Sequence, residues 1–444
     1  MKKSALLTGL FLALCLSRVS AAVDVAASAV ASSLDAAVAA AALPASAAVF
    51  FVAPDGSDGN PGTKDKPFAT VQRAQSAVRA GDTVYLRGGI YHLTEAQIAH
   101  KERIYACVTY LDKSGRPGKY ITYCAYPGER PVFDYTAVKP FDYRVAAFYV
   151  TGSWLHLKGF EVTGVQVTIT THTQSECFEN HGSNNIYEQL SMHDGMAIGF
   201  YLLSGSDNLI LNCDAYRNFD SVSENRRGGN TDGFGCHPRA GSKGNVFRGC
   251  RSWFNSDDGY DVINSAEATT FDHCWAFYNG YNPAFTSEGD GNGFNMLNRM
   301  LGNVYADVPG YKHVLHNNLG FRARDVAVAN LDTTQCELVN NDFDVSPADA
   351  DFMSLDETQL MAPRQADGSL PAIDFLRPRP ASRIAGMGAF AGDSAAGPGR
   401  LVFSDDFAAP LDTGVWIAEI ELKGERFRGY IPGIARWCWI RVEA

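Results

Sequence analysis

The sequence predicts an all-β protein, a parallel β-helix of stacked coils with a capping helix at its N-terminal end and a short C-terminal appendage. Three observations predict this fold: a short motif recurs at about the length of one coil, its copies alternate as strands do, and Gly and Asn separate them. Hydrophobic residues make up 46% and charged residues 20% of the 444 residues, a composition typical of folded proteins.

The motif is an apolar run followed by Cys, any residue, Ala or Ser, two residues and Asn. It occurs three times, at 209–218, 246–255 and 270–279, and a degenerate earlier copy at 185–192 has Leu190 in the Cys place. The steps are 23 residues from Leu190 to Cys213, 37 residues from there to Cys250, and 24 residues on to Cys274. A coil of this length suits three short strands joined by turns, and the longer step suits a coil with a loop insertion.

The cysteines of the motif have two interpretations. Stacked about 4.8 Å apart, they form an inward ladder of small apolar side chains, while the Asn residues form a ladder at a turn. Alternatively they pair as disulfides, because parallel stacking brings their Cα atoms near the bridging distance. Cys15 falls in the N-terminal segment, and the remaining nine are an odd number, so at least one thiol stays unpaired within the chain.

The first residues predict export. Lys2 and Lys3 precede the apolar run from Ala5 to Leu16, and Val19-Ser20-Ala21 offers a small-residue cleavage site. The run is shorter than the roughly 20 residues that cross a bilayer, although a retained anchor is the alternative. We therefore expect a secreted protein, extracellular or periplasmic, without a membrane partner.

Four regions are predicted along the chain. Apolar residues at helical spacing in 69–78 and a strand at 83–86 predict an N-terminal cap that covers the open end of the first coil. Residues 401–407 resemble the first strand of a β-sandwich, but only about 40 residues follow, too few for a whole one. The regions are a signal peptide at 1–21, an Ala-rich leader at 22–48, the β-helix at 49–392, and a linker with a truncated β-type tail at 393–444.

The net charge of −11 argues against a nucleic-acid partner, because phosphate binding requires a basic face. An acidic protein that binds an acidic sugar polymer needs a local basic groove or a bridging cation, and we expect it to do so as a monomer. The residues that could supply local positive charge are Arg226, Arg227, Arg239, Lys243, Arg248 and Arg251.

Four aspartates are the candidate metal ligands. Asp232 precedes Asp257 by 25 residues, close to one coil, so it is expected beside Asp257 and Asp258 on the next rung, with Asp261 nearby. Carboxylates at this density repel one another unless a cation neutralises them, and Ca²⁺ is a hard cation that prefers oxygen ligands. The alternative is that each Asp simply makes a turn and faces water.

These segments resemble polysaccharide lyase family nine, pectate lyases with a right-handed parallel β-helix. The resemblance covers most of 49–390 and is most specific in four segments: 231–234, 244–251, 255–261 and 291–294. It implies cleavage of pectate (polygalacturonate) by β-elimination, with Ca²⁺ held by Asp232, Asp257, Asp258 and Asp261. Elimination also needs a general base that removes the C5 proton of a uronate.

The resemblance implies that this base is a lysine directly after the Gly-Asn-Gly-Phe segment, where this chain has Asn295. An amide cannot act as a general base, and the sequence that follows resembles a segment lying further downstream in relatives. We infer a deletion of one or two coils that removed the lysine. His237 and Arg239 are the remaining candidates for the base, although carboxylate-binding or structural roles also suit both residues.

Three functions remain open from the sequence. The first is an active or weakened Ca²⁺-dependent uronate lyase, and the second is a non-catalytic pectin-binding relative. The third is a polygalacturonase-type hydrolase on the same scaffold, but the Gly-His-Gly and Arg-Ile-Lys motifs of that family are absent.

Overall fold

The computed structural model describes residues 47–171, 173–223, 228–296, 312–334, 336–365 and 370–390, and the backbone of three strands near the C-terminus. The predicted signal peptide, nearly all of the predicted leader, and Arg226 and Arg227 lie outside the described residues. Across the described part of the chain, no helix is long and apolar enough to cross a membrane.

Three parallel sheets form the body, and neighbouring strands within a sheet belong to successive coils. Sheet A contains Val49–Val52, Thr83–Leu86, Ile121–Ala125, Leu155–Lys158, Ile186–Glu188, Leu209–Leu211, Asn245–Arg248, Thr269–Asp272, His313–His316 and Cys336–Val339. Sheet B contains Gly89–Thr94, Pro131–Ala137, Glu161–Thr163, Ser191–His193, Asp214–Tyr216, Arg251–Trp253, Trp275–Phe277 and Leu319–Phe321. Sheet C contains His100–Glu102, which is antiparallel to the next strand, Tyr105–Leu111, Arg144–Val150, Glu176–Asn180, Ile198–Leu202, Phe234–Cys236, Tyr260–Asp261, Phe294–Asn295 and Val328–Ala329. The predicted all-β parallel β-helix is confirmed.

Aromatic side chains stack along the inside of sheet C. Phe234, Tyr260 and Phe294 are in register in three consecutive coils and are fully buried. Their ring centroids are 4.9 and 4.8 Å apart, with nearly parallel planes. This column fixes the register of the coils, because a slip of one residue would turn the rings out of the core.

The motif residues form the two predicted ladders. The three cysteines are fully buried, unpaired thiols in the core, so the inward ladder is confirmed and disulfide pairing is wrong for Cys213, Cys250 and Cys274. Asn218 Nδ2 donates to Asn255 Oδ1 at 3.0 Å, and Asn255 Nδ2 donates to Asn279 Oδ1 at 3.2 Å. The amides of Asn218 and Asn255 thus each donate to the amide oxygen of the next coil, while Asn279 Nδ2 donates back to the Ser252 carbonyl at 3.2 Å.

The N-terminal end has the predicted helix, Val71–Ala77, which begins after Thr70; the Thr70 side chain accepts a hydrogen bond from the Arg73 backbone N–H at 3.0 Å. Five short 3₁₀ helices complete the helical content of the described residues: Glu95–Gln97, Asp342–Val345, Asp349–Asp351, Glu357–Met361 and Gly388–Phe390. A three-stranded antiparallel sheet, Ala418–Leu422, Glu425–Tyr430 and Cys438–Arg441, lies in the predicted tail. The strand predicted at 401–407 falls outside the described residues.

The coils end at Cys336–Val339, before the end of the region predicted as β-helix. Residues 342–365 and 370–390 instead cover sheet B, where Phe352 contacts Phe321 and Phe375 contacts Phe277 at centroid distances of 4.7 and 5.1 Å. This segment gives sheet B a second apolar layer outside the coils.

A buried ion cluster joins the covering segment to sheet B. Asp214 accepts from Arg251 Nε at 2.7 Å and from Arg251 Nη2 at 2.6 Å. It also accepts from Arg364 Nη2 at 2.9 Å. All three side chains are largely withdrawn from water, and Arg364 Nη2 also donates to the Gly249 carbonyl at 3.0 Å, so removing Asp214 would leave buried cationic groups without their carboxylate.

Candidate metal and substrate site

A four-residue pattern recurs in sheet C: a variable residue, Gly, an aromatic residue and a second variable residue. It occupies 232–235, 258–261 and 292–295 in three consecutive coils. The aromatic residue fills the core, and the flanking residues of neighbouring coils come side by side. The glycine is required: a Cβ on Gly259 would lie 2.5 Å from the carbonyl oxygen of Gly293. The glycine position therefore cannot carry a side chain, and only the two flanking positions present side chains on the outer face of sheet C.

Three of the four predicted ligands meet in this pattern. Asp232, Asp258 and Asp261 each offer a carboxylate oxygen, and these oxygens lie within 4.8 Å of one another. All three residues are buried, and the Asp258 backbone N–H donates to Asp232 Oδ1 at 3.2 Å. The adjacency that the one-coil spacing predicts is therefore present.

The fourth predicted ligand, Asp257, lies beside this group rather than within it. It is half-buried, and its carboxylate accepts a hydrogen bond from the Asn230 backbone N–H. Burial, together with the negative charge of Asp257, raises the pKa of Asp232 well above its usual range. All four carboxylates therefore act on one another electrostatically.

Amide donors surround Asp258. Its Oδ1 accepts from the backbone N–H and the Nδ2 of Asn292 at 2.8 and 2.7 Å, and its Oδ2 accepts from Asn295 Nδ2 at 2.8 Å. Burial, with the charges of Asp257 and Asp261, nevertheless raises the pKa of Asp258 well above its usual range. Within the described residues, no Lys or Arg forms an ion pair with Asp232, Asp258 or Asp261. The charge of the group is thus left for a proton or a bound cation to neutralise.

The two candidates for the base differ in position. His237 follows the strand Phe234–Cys236, and its Nε2 lies 3.3 Å from Asp261 Oδ2 while its Nδ1 lies 3.0 Å from the Tyr201 hydroxyl. Arg239 is exposed and forms no side-chain hydrogen bond with the four aspartates. Tyr201 was not among the residues singled out in the sequence, although it ends an earlier copy of the Gly–aromatic pattern at 198–201.

The comparisons with known proteins agree with this architecture. The family model described as "Pel9A-like, right handed beta helix region" matches residues 50–342. The chain belongs to this Pel9A-like β-helix family. It is 30% identical over 394 residues to pectate lyase L of Dickeya dadantii, covering 77% of this chain and 86% of the relative. It is also 30% identical over 296 residues to pectate lyase PEL9 of Emericella nidulans, covering 62% of this chain and 67% of that protein.

Two solved structures share the fold over most of the chain. A rhamnogalacturonan lyase is 40% identical, with a TM-score of 0.66, and the match covers 77% of this chain and 100% of that one. The pectate lyase Pel9A is 27% identical, with a TM-score of 0.55, and the match covers 77% of this chain and 91% of that one. This Pel9A-like protein is accordingly a polysaccharide lyase-like enzyme.

Position 295 of this Pel9A-like chain lies in register with Asp261, one coil further along. The Asn295 amide donates to Asp258 and accepts from Asn330 Nδ2 at 3.0 Å, so an uncharged group stands against the carboxylates. The stack continues without interruption to Val328–Ala329. A chain that had lost whole coils would also have a continuous stack, so the structure does not test the deletion, which stays a prediction.

Two of the predicted positive residues belong elsewhere. Arg248 lies on sheet A and pairs with Asp272 at 2.9 Å, and Arg251 lies on sheet B in the buried ion cluster. They follow Asp232 in the sequence, but the chain leaves sheet C after Cys236 and passes through sheet A before it reaches sheet B. The predicted basic groove therefore loses both residues.

Proposed function

We propose that this chain is a secreted, Ca²⁺-dependent lyase-family protein that acts on acidic pectic polysaccharide such as polygalacturonate, and that its β-elimination is weak because Asn295 replaces the expected lysine. The buried carboxylate group of Asp232, Asp258 and Asp261 carries the proposal. Ca²⁺ bound there would neutralise the substrate's carboxylate and make the neighbouring C5 proton more acidic.

The donor set fits this cation. Oxygen ligands lie about 2.4 Å from Ca²⁺, so two ligands on opposite sides are separated by about 4.8 Å. The three aspartate oxygens lie within that limit. Asp257 lies beside them and adds a fourth negative charge to the site, while the amides of Asn292 and Asn295 orient Asp258.

The same distances argue against the hydrolase alternative. Inverting hydrolysis requires two carboxyl groups about 6.5–9.5 Å apart, with a water between them. One oxygen from each of Asp232, Asp258 and Asp261 lies within 4.8 Å of the others, which is closer than that spacing. The non-catalytic pectin-binding alternative differs from our proposal only in the rate of elimination.

One assay separates these functions. The full chain is incubated with polygalacturonate in Ca²⁺ or in chelator, while unsaturated product is followed by ultraviolet absorbance and reducing ends are counted. We expect slow, Ca²⁺-dependent formation of unsaturated product that Asp258→Asn abolishes. Reducing ends without ultraviolet absorbance would indicate a hydrolase, and retained binding without either signal would support the non-catalytic alternative.

Rhamnogalacturonan is the second candidate substrate, because the rhamnogalacturonan lyase shares more sequence identity with this chain than Pel9A does. It also contains a uronate with a C6 carboxylate and a C5 proton. Running both polymers side by side at equal uronate concentration decides between them: the preferred substrate gives the higher kcat/KM.

Asn295→Lys tests the missing base. We expect little rescue, because the inferred deletion removed the coils that would support the lysine as well as the lysine itself. Strong rescue, measured as a large increase in the rate of unsaturated product formation, would show that the amine alone is missing and would contradict the deletion of coils.

A further inference from the structure

His237 has both ring nitrogens engaged. The Tyr201 hydroxyl must donate the bond to Nδ1 if that nitrogen is an acceptor, which leaves Nε2–H to donate to Asp261. The rings of Tyr201 and His237 meet edge to face at 5.2 Å, and the His237 backbone N–H donates to the Leu202 carbonyl at 2.9 Å. The imidazole is therefore held between Tyr201 and Asp261, on a backbone that is itself anchored to the preceding coil.

Asp261 is held at both oxygens. Its Oδ1 accepts from the Ile263 backbone N–H at 2.8 Å, and its Oδ2 faces His237. The side chains of His237 and Asp261 are 17% and 11% exposed, so water competes little for these bonds. The carboxylate plane is thus fixed before any ligand arrives.

Gly235 makes this arrangement possible. Tyr201, Gly235 and Asp261 occupy equivalent positions in three consecutive coils. A Cβ on Gly235 would lie only 2.6 Å from Tyr201 Cδ2, so the Tyr201 ring lies across the space that a side chain would fill. The tyrosine leans along sheet C to reach His237.

We infer that Tyr201 and His237 are positioning residues that orient the Asp261 carboxylate for cation binding, and that His237 is not the base of the reaction. The inference rests on the proposed cation site. Groups that orient a ligating residue in this way commonly change metal affinity by about 10–100-fold when they are removed.

Calorimetric titration of the metal-free full chain with Ca²⁺ tests the inference, with binding rather than turnover as the readout. We expect His237→Leu to weaken the Kd by about 10–100-fold and Tyr201→Phe by a smaller factor. His237→Gln places an amide donor near the position of Nε2 and should restore most of the affinity. Gly235→Ala should resemble Tyr201→Phe, because its methyl group displaces the tyrosine ring.

Tyr149→Phe is the matched control, since Tyr149 is a buried tyrosine two coils earlier at the equivalent position of sheet C, and it should bind Ca²⁺ as the unaltered chain does. Unchanged affinity in both His237→Leu and Tyr201→Phe would overturn the inference and leave the cation site standing. No binding by the unaltered chain would overturn both. If His237→Leu does not fold, Tyr201→Phe and His237→Gln still decide the question.

Discussion

Replacing Asp258 by Asn should remove the stabilisation that Ca²⁺ gives to the folded chain. At a Ca²⁺ concentration 100 times its Kd, a ligand stabilises the native state by about 2.7 kcal/mol. The body from 49 to 390 contains roughly 340 residues, and at about 2.1 cal/mol/K per residue its unfolding entropy is about 0.7 kcal/mol/K. The expected increase in Tm is therefore about 4 °C.

The substitution removes one of three clustered charges while keeping a side chain of the same shape. If it weakens binding by about 100-fold, the same Ca²⁺ concentration yields only about 0.4 kcal/mol, or less than about 1 °C. Differential scanning calorimetry in chelator and in Ca²⁺ measures both shifts. Asp342→Asn, a buried aspartate outside the site, is the control and should keep the full shift. An Asp258→Asn protein that responds to Ca²⁺ like the unaltered chain would refute the assignment.

Two further predictions concern the fold. Burial raises the pKa of Asp342 to about 8, so the native state keeps a proton that the unfolded state loses near pH 4. The free energy of unfolding should therefore fall as pH rises from about 4 to about 8, and Asp342→Asn should remove on the order of 5 kcal/mol of this fall in thermal melts. If the melting temperatures of the two proteins changed in parallel with pH, the prediction would be contradicted. Burial alone would raise the pKa of Asp214, but the charges and hydrogen bonds of Arg251 and Arg364 outweigh burial and lower the pKa to about 2. Asp214→Asn should therefore cost about 3–5 kcal/mol near neutral pH, and its deficit in Tm should shrink as pH falls below about 4; a constant deficit would count against the ion cluster as its cause.

The repeat motif predicts the fold well because its spacing is a property of the chain itself. One coil separates Asp232 from Asp258, and stacking converts that separation into contact. The same reasoning does not reveal the contact of Tyr201 with His237, because it depends on a ring leaning across Gly235. Periodicity identifies the rung on which a residue lies, whereas the direction of its side chain depends on what its neighbours leave open.

The misassigned arginines and the covering segment have a related cause. Arg248 and Arg251 follow the site in sequence but lie on sheets A and B, since the chain leaves sheet C after Cys236 and turns again at Gly249 and Cys250. Residues 342–390 contain no motif copy, and those that the structure describes attach to sheet B through contacts with side chains from several coils. Only the assembled surface determines where it lies.

In the repeated pattern of sheet C, the buried aromatic position stays aromatic from coil to coil while the flanking residues vary. Ile198 and Tyr201 flank one copy of the pattern, and Asp232 and Gly235 flank the next, yet a buried phenylalanine (Phe200 or Phe234) lies between each pair. Reactive groups can therefore be exchanged at the flanks, or moved by one turn of the solenoid, without rebuilding the interior. A scaffold of this kind suits the transplantation of whole ligand sets.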